Sequence, residues 1–186
     1  MKILFVSSEC APFSKSGGLA DVAFSLPPAL QKTGDELTIV IPMYRVTQEN
    51  YGDQFSLIKT CVIHLGQRQL SCALYKGELN GVTVYAIGNE HLFHRPRLYG
   101  YGDDSLRFAF FCRAVIDLLP EFGDLPDILH CNDWETALAI LYLKNDAVLN
   151  DALSHIKTVY TIHNIAYQGQ FGRSEMETTF ALPDGW

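Results

Sequence analysis

Two glycines, Gly17-Gly18, stand between a short apolar run, Ile3-Leu4-Phe5-Val6, and a stretch of helical pattern that begins at Leu19. A strand, a tight glycine turn and a helix start, in that order, leave few folds open. A second apolar run, Leu37-Thr38-Ile39-Val40-Ile41, follows and is ended by Pro42. Together these make a β-α-β unit, which predicts a parallel sheet with a right-handed crossover. The helix is expected over 18–33, with Pro27-Pro28 breaking or restarting it, because proline lacks the N–H and clashes with the preceding turn. A proline in the first turn of a second short helix would resolve the conflict, and Gly34 would stop it.

The middle of the chain reads differently. Segments 55–64, 68–75 and 82–87 are short and rich in Val, Ile, Leu and Tyr, and Asn80-Gly81 supplies a hairpin turn. They predict an antiparallel excursion at the sheet edge. Residues 89–103 read as a loop. Alternation then resumes. Leu106, Phe110, Ala114 and Leu118 recur at helical spacing, so 104–119 reads as an amphipathic helix. Asp127-Ile128-Leu129-His130 is a strand, Asp133 is placed to cap a helix over 134–145, and 157–162 is a strand ending at His163. The fold class is α/β: a Rossmann-like parallel sheet with helices on both faces and an antiparallel edge.

At 186 residues, with 48% hydrophobic and 19% charged, the chain is a core-rich globular domain. A net charge of −7 without a basic cluster argues against nucleic acid and anionic membranes as partners. Five cysteines without a C-x-x-C read as reduced thiols, which points to a cytoplasmic or plastid-like compartment. The first apolar run is too short for a signal peptide, and no stretch approaches transmembrane length.

The glycine turn also has a chemical reading. A helix N-terminus presents unpaired N–H groups and partial positive charge, and two glycines let a ligand approach the backbone. Lys15 would add a full charge, and Asp21 could accept hydrogen bonds from hydroxyls. The turn fits neither the dinucleotide fingerprint nor the P-loop. Without more, Lys15 could be a solvated lysine and Asp21 a helix-start charge. However, Lys15–Asp21, His130–Asp133 and His163–Gln168 each follow the carboxyl end of a parallel strand, where open α/β sheets bind ligands.

Four stretches resemble the bacterial glycogen synthases and plant starch synthases: Lys2-Ile3-Leu4-Phe5-Val6-Ser7-Ser8-Glu9 with Lys15-Ser16-Gly17-Gly18-Leu19-Ala20-Asp21-Val22; His91-Leu92-Phe93 with Arg95-Pro96 and Tyr99; His130-Cys131-Asn132-Asp133-Trp134; and Thr161-Ile162-His163-Asn164-Ile165-Ala166-Tyr167-Gln168-Gly169-Gln170-Phe171. Ser16 stands where the family usually has Thr. The resemblance implies a retaining glucosyltransferase of the two-domain GT-B type, moving glucose from ADP-glucose to the non-reducing end of an α-1,4-glucan, glycogen or starch. It implies that 1–186 is the N-terminal, acceptor-side domain, truncated, and that the nucleotide-sugar domain lies outside this chain. The fragment alone would then be inactive, and missing strands would expose an apolar edge. No cofactor and no metal are implied, and His91-x-x-His94 lacks a completing ligand.

The roles implied are these. Lys15, with Gly17 and Gly18, would meet the donor diphosphate. Asp21 would bind sugar hydroxyls or order the loop. His163 would stabilise positive charge at the anomeric carbon, and Asn164 and Gln168 would bind hydroxyls or shape the pocket. Asp133 has two open readings, a helix cap and a cleft residue near the donor sugar. Tyr99 and Trp134 could be sugar platforms, though Trp134 also suits the core. A glucan-binding module without catalysis is the alternative function. A nicotinamide oxidoreductase is disfavoured by the missing glycine fingerprint.

Overall fold

The computed structural model describes residues 1–182. A seven-stranded sheet forms its centre: β1 (Lys2–Val6), β2 (Glu36–Pro42), β3 (Ser56–Leu65), β4 (Arg68–Leu79), β5 (Val82–Gly88), β6 (Ile128–Asn132) and β7 (Lys157–Thr161). The spatial order is β3-β4-β5-β2-β1-β6-β7. The run from β5 to β7 is parallel, and β3 and β4 attach antiparallel at one edge, as the sequence predicts.

Alternation along the strands divides the core in two. Leu4 and Val6 face one apolar cluster, packed under α4 (Asp104–Asp117) and α5 (Trp134–Leu149). Ile3 and Phe5 face the other, which includes Ala23 of α1 (Gly18–Gln31). Successive side chains of a strand point to opposite faces, so a continuous apolar run serves both layers. Shorter helices are α2 (Arg45–Tyr51), α3 (Glu90–Phe93) and α6 (Arg173–Thr178).

Two expectations are corrected, and one element is added. Helix α1 neither breaks nor restarts at its prolines; it runs through Pro27-Pro28 to Gln31. Leu19, Ala20, Ala23 and Pro27 are all buried, so packing on the sheet outweighs the two lost amide donors. The 89–103 segment is not all loop: α3 forms one turn there because Asn89 Oδ1 accepts from the Leu92 amide at 3.0 Å. The segment after β2, given no element in the sequence reading, holds α2. The Asn80-Gly81 hairpin turn has φ of 52° and 82°, the positive pair that a two-residue primed turn needs. Strand β7 is the other edge. It carries Val159 and Tyr160, 41% and 42% exposed, and is followed by Ile162 at 52%. Among the described residues no helix is long and apolar enough to cross a membrane.

Candidate functional site

Strands β1, β6 and β7 are neighbours, so the segments leaving their carboxyl ends converge. They enclose a cavity of about 840 Å³. Its walls come from Glu9, Ser16–Leu19 and Val22 after β1, Tyr99, Gly100 and Asp104 before and in α4, Asp133–Glu135 after β6, and His163, Asn164 and Tyr167 after β7.

At the β1–α1 junction, the glycine turn is held by the chain itself. The Glu9 carboxylate, in a residue only 3% exposed, accepts from the Ser16 amide (2.5 Å), the Ser16 hydroxyl (2.7 Å), the Gly17 amide (3.2 Å) and the Tyr99 hydroxyl (2.7 Å). Tyr99 also shares a hydrogen bond with Ser8 Oγ at 2.9 Å. The Gly17 amide therefore points at Glu9, a carboxylate from inside the chain. Neither Gly17 nor Gly18 has any atom within 4 Å of a built Cβ, so that side of the turn is open.

The β6–α5 junction is built by Asp133, whose φ is 58°. It occupies the cap position, yet its side chain makes no cap bond. Instead Oδ1 accepts from the His163 amide (2.7 Å) and the Asn164 amide (3.3 Å), tying this junction to the segment after β7. His163 Nε2 lies 2.9 Å from the Asn132 side-chain oxygen, and Asn132 in turn donates to the Val6 carbonyl at 3.0 Å. Three strand ends thus fix one histidine. His130 lies lower in β6, 2.8 Å from the Thr161 hydroxyl, and burial, then the neighbouring His163, hold its pKa below the usual value. Trp134 stacks edgewise on Phe108 and tilts against Phe171, while still lining the cavity. Glu135 follows it, buried, and burial pushes its carboxyl up to about 8.

Gly17, Gly18, Tyr99, Asp133, His163 and Asn164 therefore meet in one cavity. Lys15 lines an adjoining space with Ser16, Arg97 and Tyr99, and its ammonium sits 2.6 Å from Asp21 Oδ1. Gln168 lines a third, smaller space beside Trp134 and donates to the Ile165 carbonyl at 2.9 Å. The side-chain cap expected of Asp133 is not made, because the two amides beyond β7 take its carboxylate. His94 reaches Gln48 at 3.2 Å, and among the described residues no three His, Cys, Asp or Glu side chains are grouped to hold a metal. The sequence reading missed Glu9, Asp104 and Glu135 as cavity residues. Glu9 lay within a stretch already singled out, but Glu135 gave no signal beyond an acid in a first helical turn.

A parallel-sheet rim with a glycine turn and a cavity lined by carboxyl groups and aromatic rings defines a ligand-binding α/β domain. Residues 2–186 match the family model described as the starch synthase catalytic domain, and the chain belongs to that family. It is 44% identical over 184 residues to a glycogen synthase of Bacillus cereus strain Q1, covering 99% of this chain and 39% of that protein. It is 40% identical to one from Anoxybacillus flavithermus, covering 99% and 38%. Among solved structures, the catalytic domain of Arabidopsis thaliana starch synthase IV bound to ADP and acarbose superposes with a TM-score of 0.82 at 30% identity, covering 95% of this chain and 36% of that one. The chain thus spans under two fifths of the length of these relatives.

Proposed function

We propose that the protein carrying this chain is an α-1,4-glucan synthase, transferring glucose from ADP-glucose to a glycogen or starch chain end with retention, and that this chain is its acceptor-side domain. The cavity is the observation that carries the reading. No lysine or arginine is among its lining residues, whereas hydroxyl-binding groups are plentiful. Such a wall suits a neutral, hydroxyl-rich ligand, and the charge-neutralising groups for a diphosphate would come from Lys15 and from a second domain. The starch synthase neighbour binds ADP and acarbose, a nucleotide and a sugar-like ligand. The five free cysteines suit a reducing compartment, cytoplasmic or plastid.

In this reading Asp133 presents the His163–Asn164 backbone to the donor sugar through its two amide contacts. His163, locked by Asn132, lies where positive charge grows at the anomeric carbon. The acceptor 4-hydroxyl bonds to that carbon as its bond to the phosphate oxygen breaks, and the departing diphosphate takes the hydroxyl proton. No carboxylate nucleophile is required. Asn164, and Gln168 from its neighbouring space, would meet sugar hydroxyls. Edge strand β7 would pair with strands that follow in the full-length protein, and this fragment alone would self-associate through it.

The test is glycogen-dependent release of nucleoside diphosphate by the full-length protein with ADP-glucose or UDP-glucose. Release with ADP-glucose is expected. Release with UDP-glucose alone would overturn the donor, and none with either, from a protein that still binds glycogen, would favour a glucan-binding module.

A further inference from the structure

Four carboxyl groups line the main cavity: Glu9, Asp104, Asp133 and Glu135. Three of them are supplied with donors. Glu9 has the four described above. Asp104 accepts from Arg107 Nη1 (2.5 Å) and from the Gly100 and Tyr101 amides (2.7 and 3.2 Å). Asp133 has the amides beyond β7. Glu135 differs. It is 7% exposed, and its Oε2 has no hydrogen-bond partner among the described residues. An ionised carboxylate there would leave Oε2 without a donor and face three like charges, an arrangement disfavoured in a buried place. A proton on Glu135 removes the charge repulsion and most of the cost of burying a carboxylate.

No cation is bonded to the Glu135 carboxyl among the described residues. Asp133 on its own junction, Glu9 from the β1 side and Asp104 from α4 all act against its ionisation. Arg107 on α4 is the nearby cation; its Nη1 pairs with Asp104 and its Nε donates to the Leu92 carbonyl, while its buried Nη2 has no hydrogen-bond partner among the described residues and makes no bond to Glu135. Tyr44, Tyr99 and Tyr160 sense the Glu135 charge and are themselves held protonated by burial. Cys112 donates to the Glu135 carbonyl, and burial pushes its thiol up to about 12. His163, on the far rim, is turned to Asn132.

We propose that Glu135 is a specificity-determining residue of this cleft: its carboxyl sets the charge of the cavity wall, so that a phosphate-bearing ligand is admitted while Glu135 keeps its proton and is turned away once it is lost, whereas a neutral oligosaccharide is held in both states. The proposal rests on the glucosyltransferase reading and deepens it, because it separates the two substrates by charge. Loss of the proton falls near pH 8.

The experiment is calorimetric binding of ADP, and separately of maltoheptaose, to the full-length protein at pH 7 and pH 9, in the wild type and in Glu135→Gln. ADP affinity of the wild type should fall by about tenfold or more across that range, as a unit charge gained in the cavity wall implies. Glu135→Gln should lose less than about twofold, and maltoheptaose should bind equally throughout. A Glu135→Gln protein that keeps the wild-type fall overturns the proposal, as does an equal fall for maltoheptaose. Infrared spectra of the ligand-free wild type provide an arm that needs no binding. A protonated carboxyl band that disappears between pH 7 and pH 9, and is missing from Glu135→Gln, is expected; its absence at pH 7 overturns the proposal. A carboxyl that titrates in a protein binding neither ligand sinks the glucosyltransferase reading, and this proposal with it.

Discussion

At the β1–α1 junction the amides of Ser16 and Gly17 point at a carboxylate from the same chain, and every oxygen of Glu9 has a donor. At the β6–α5 junction, in the same cavity, Asp133 turns away from its own helix to hold the segment after β7, and Glu135 is left with an oxygen that has no hydrogen-bond partner among the described residues. Both are strand-to-helix turns with an acid close by. A helix N-terminus offers an anion site only if no internal carboxylate reaches it first. The first junction is closed on itself. The second spends its carboxylate on a neighbour, and so couples two strand ends at the cost of a strained charge balance.

The largest way to break this comparison is Glu9→Ala. It strands two amides and two hydroxyls, and we expect a loss of about 3–4 kcal/mol in denaturant unfolding of the full-length protein, with Glu9→Gln recovering about half. A loss below about 1 kcal/mol would mean that the turn is not held by Glu9.

Glu135 should show the opposite sign. Its folded pKa of about 8 lies above a glutamate's ordinary value of 4.5. The native state therefore binds the extra proton between those values, and stability falls as pH rises through that window. The scale is about 1.4 kcal/mol for each pH unit over which the extra proton is held, a few kcal/mol in all. Glu135→Gln should flatten that slope. An unchanged slope would place the titration elsewhere.

Asp133→Asn keeps one acceptor oxygen but loses its charge. A stability change of about 1–2 kcal/mol is expected, with a fall in glucose transfer of about a hundredfold, because the His163 backbone is then loosely placed. A stability loss with full turnover would make Asp133 structural only. Tyr99→Phe removes one donor to Glu9 and one contact to Ser8, for about 0.5–1.5 kcal/mol.

The same contrast explains what could be read from the residues alone. Strand positions were legible because Ile3/Phe5 and Leu4/Val6 must each face a different layer, and that demand shows as an uninterrupted apolar run. The hairpin was legible because few residue pairs besides Asn-Gly tolerate two positive φ values. Continuity of α1 through Pro27-Pro28 was not, because it depends on burial of the Pro27 ring against other elements. At the site, the strand–turn–helix grammar located the rim. It could not show that Glu9 would fill the turn, a contact completed by Tyr99 from far along the chain. Nor could it separate Glu135 from any first-turn acid, since burial alone makes it different.

Lys15 gives the smallest effect on stability and the sharpest test of what the closed junction leaves free. Its pair with Asp21 is exposed, with side chains 51% and 60% accessible, so Lys15→Ala should change stability by less than about 1 kcal/mol. The pair is weak enough for a diphosphate to draw the lysine from Asp21, while the Gly17 amide stays with Glu9. ADP affinity of the full-length protein should then drop by about tenfold in Lys15→Ala, and rise in Asp21→Asn, where the competing charge is gone. If Lys15→Ala binds ADP normally, Lys15 is a solvated surface charge, and the anion-binding reading of this junction fails.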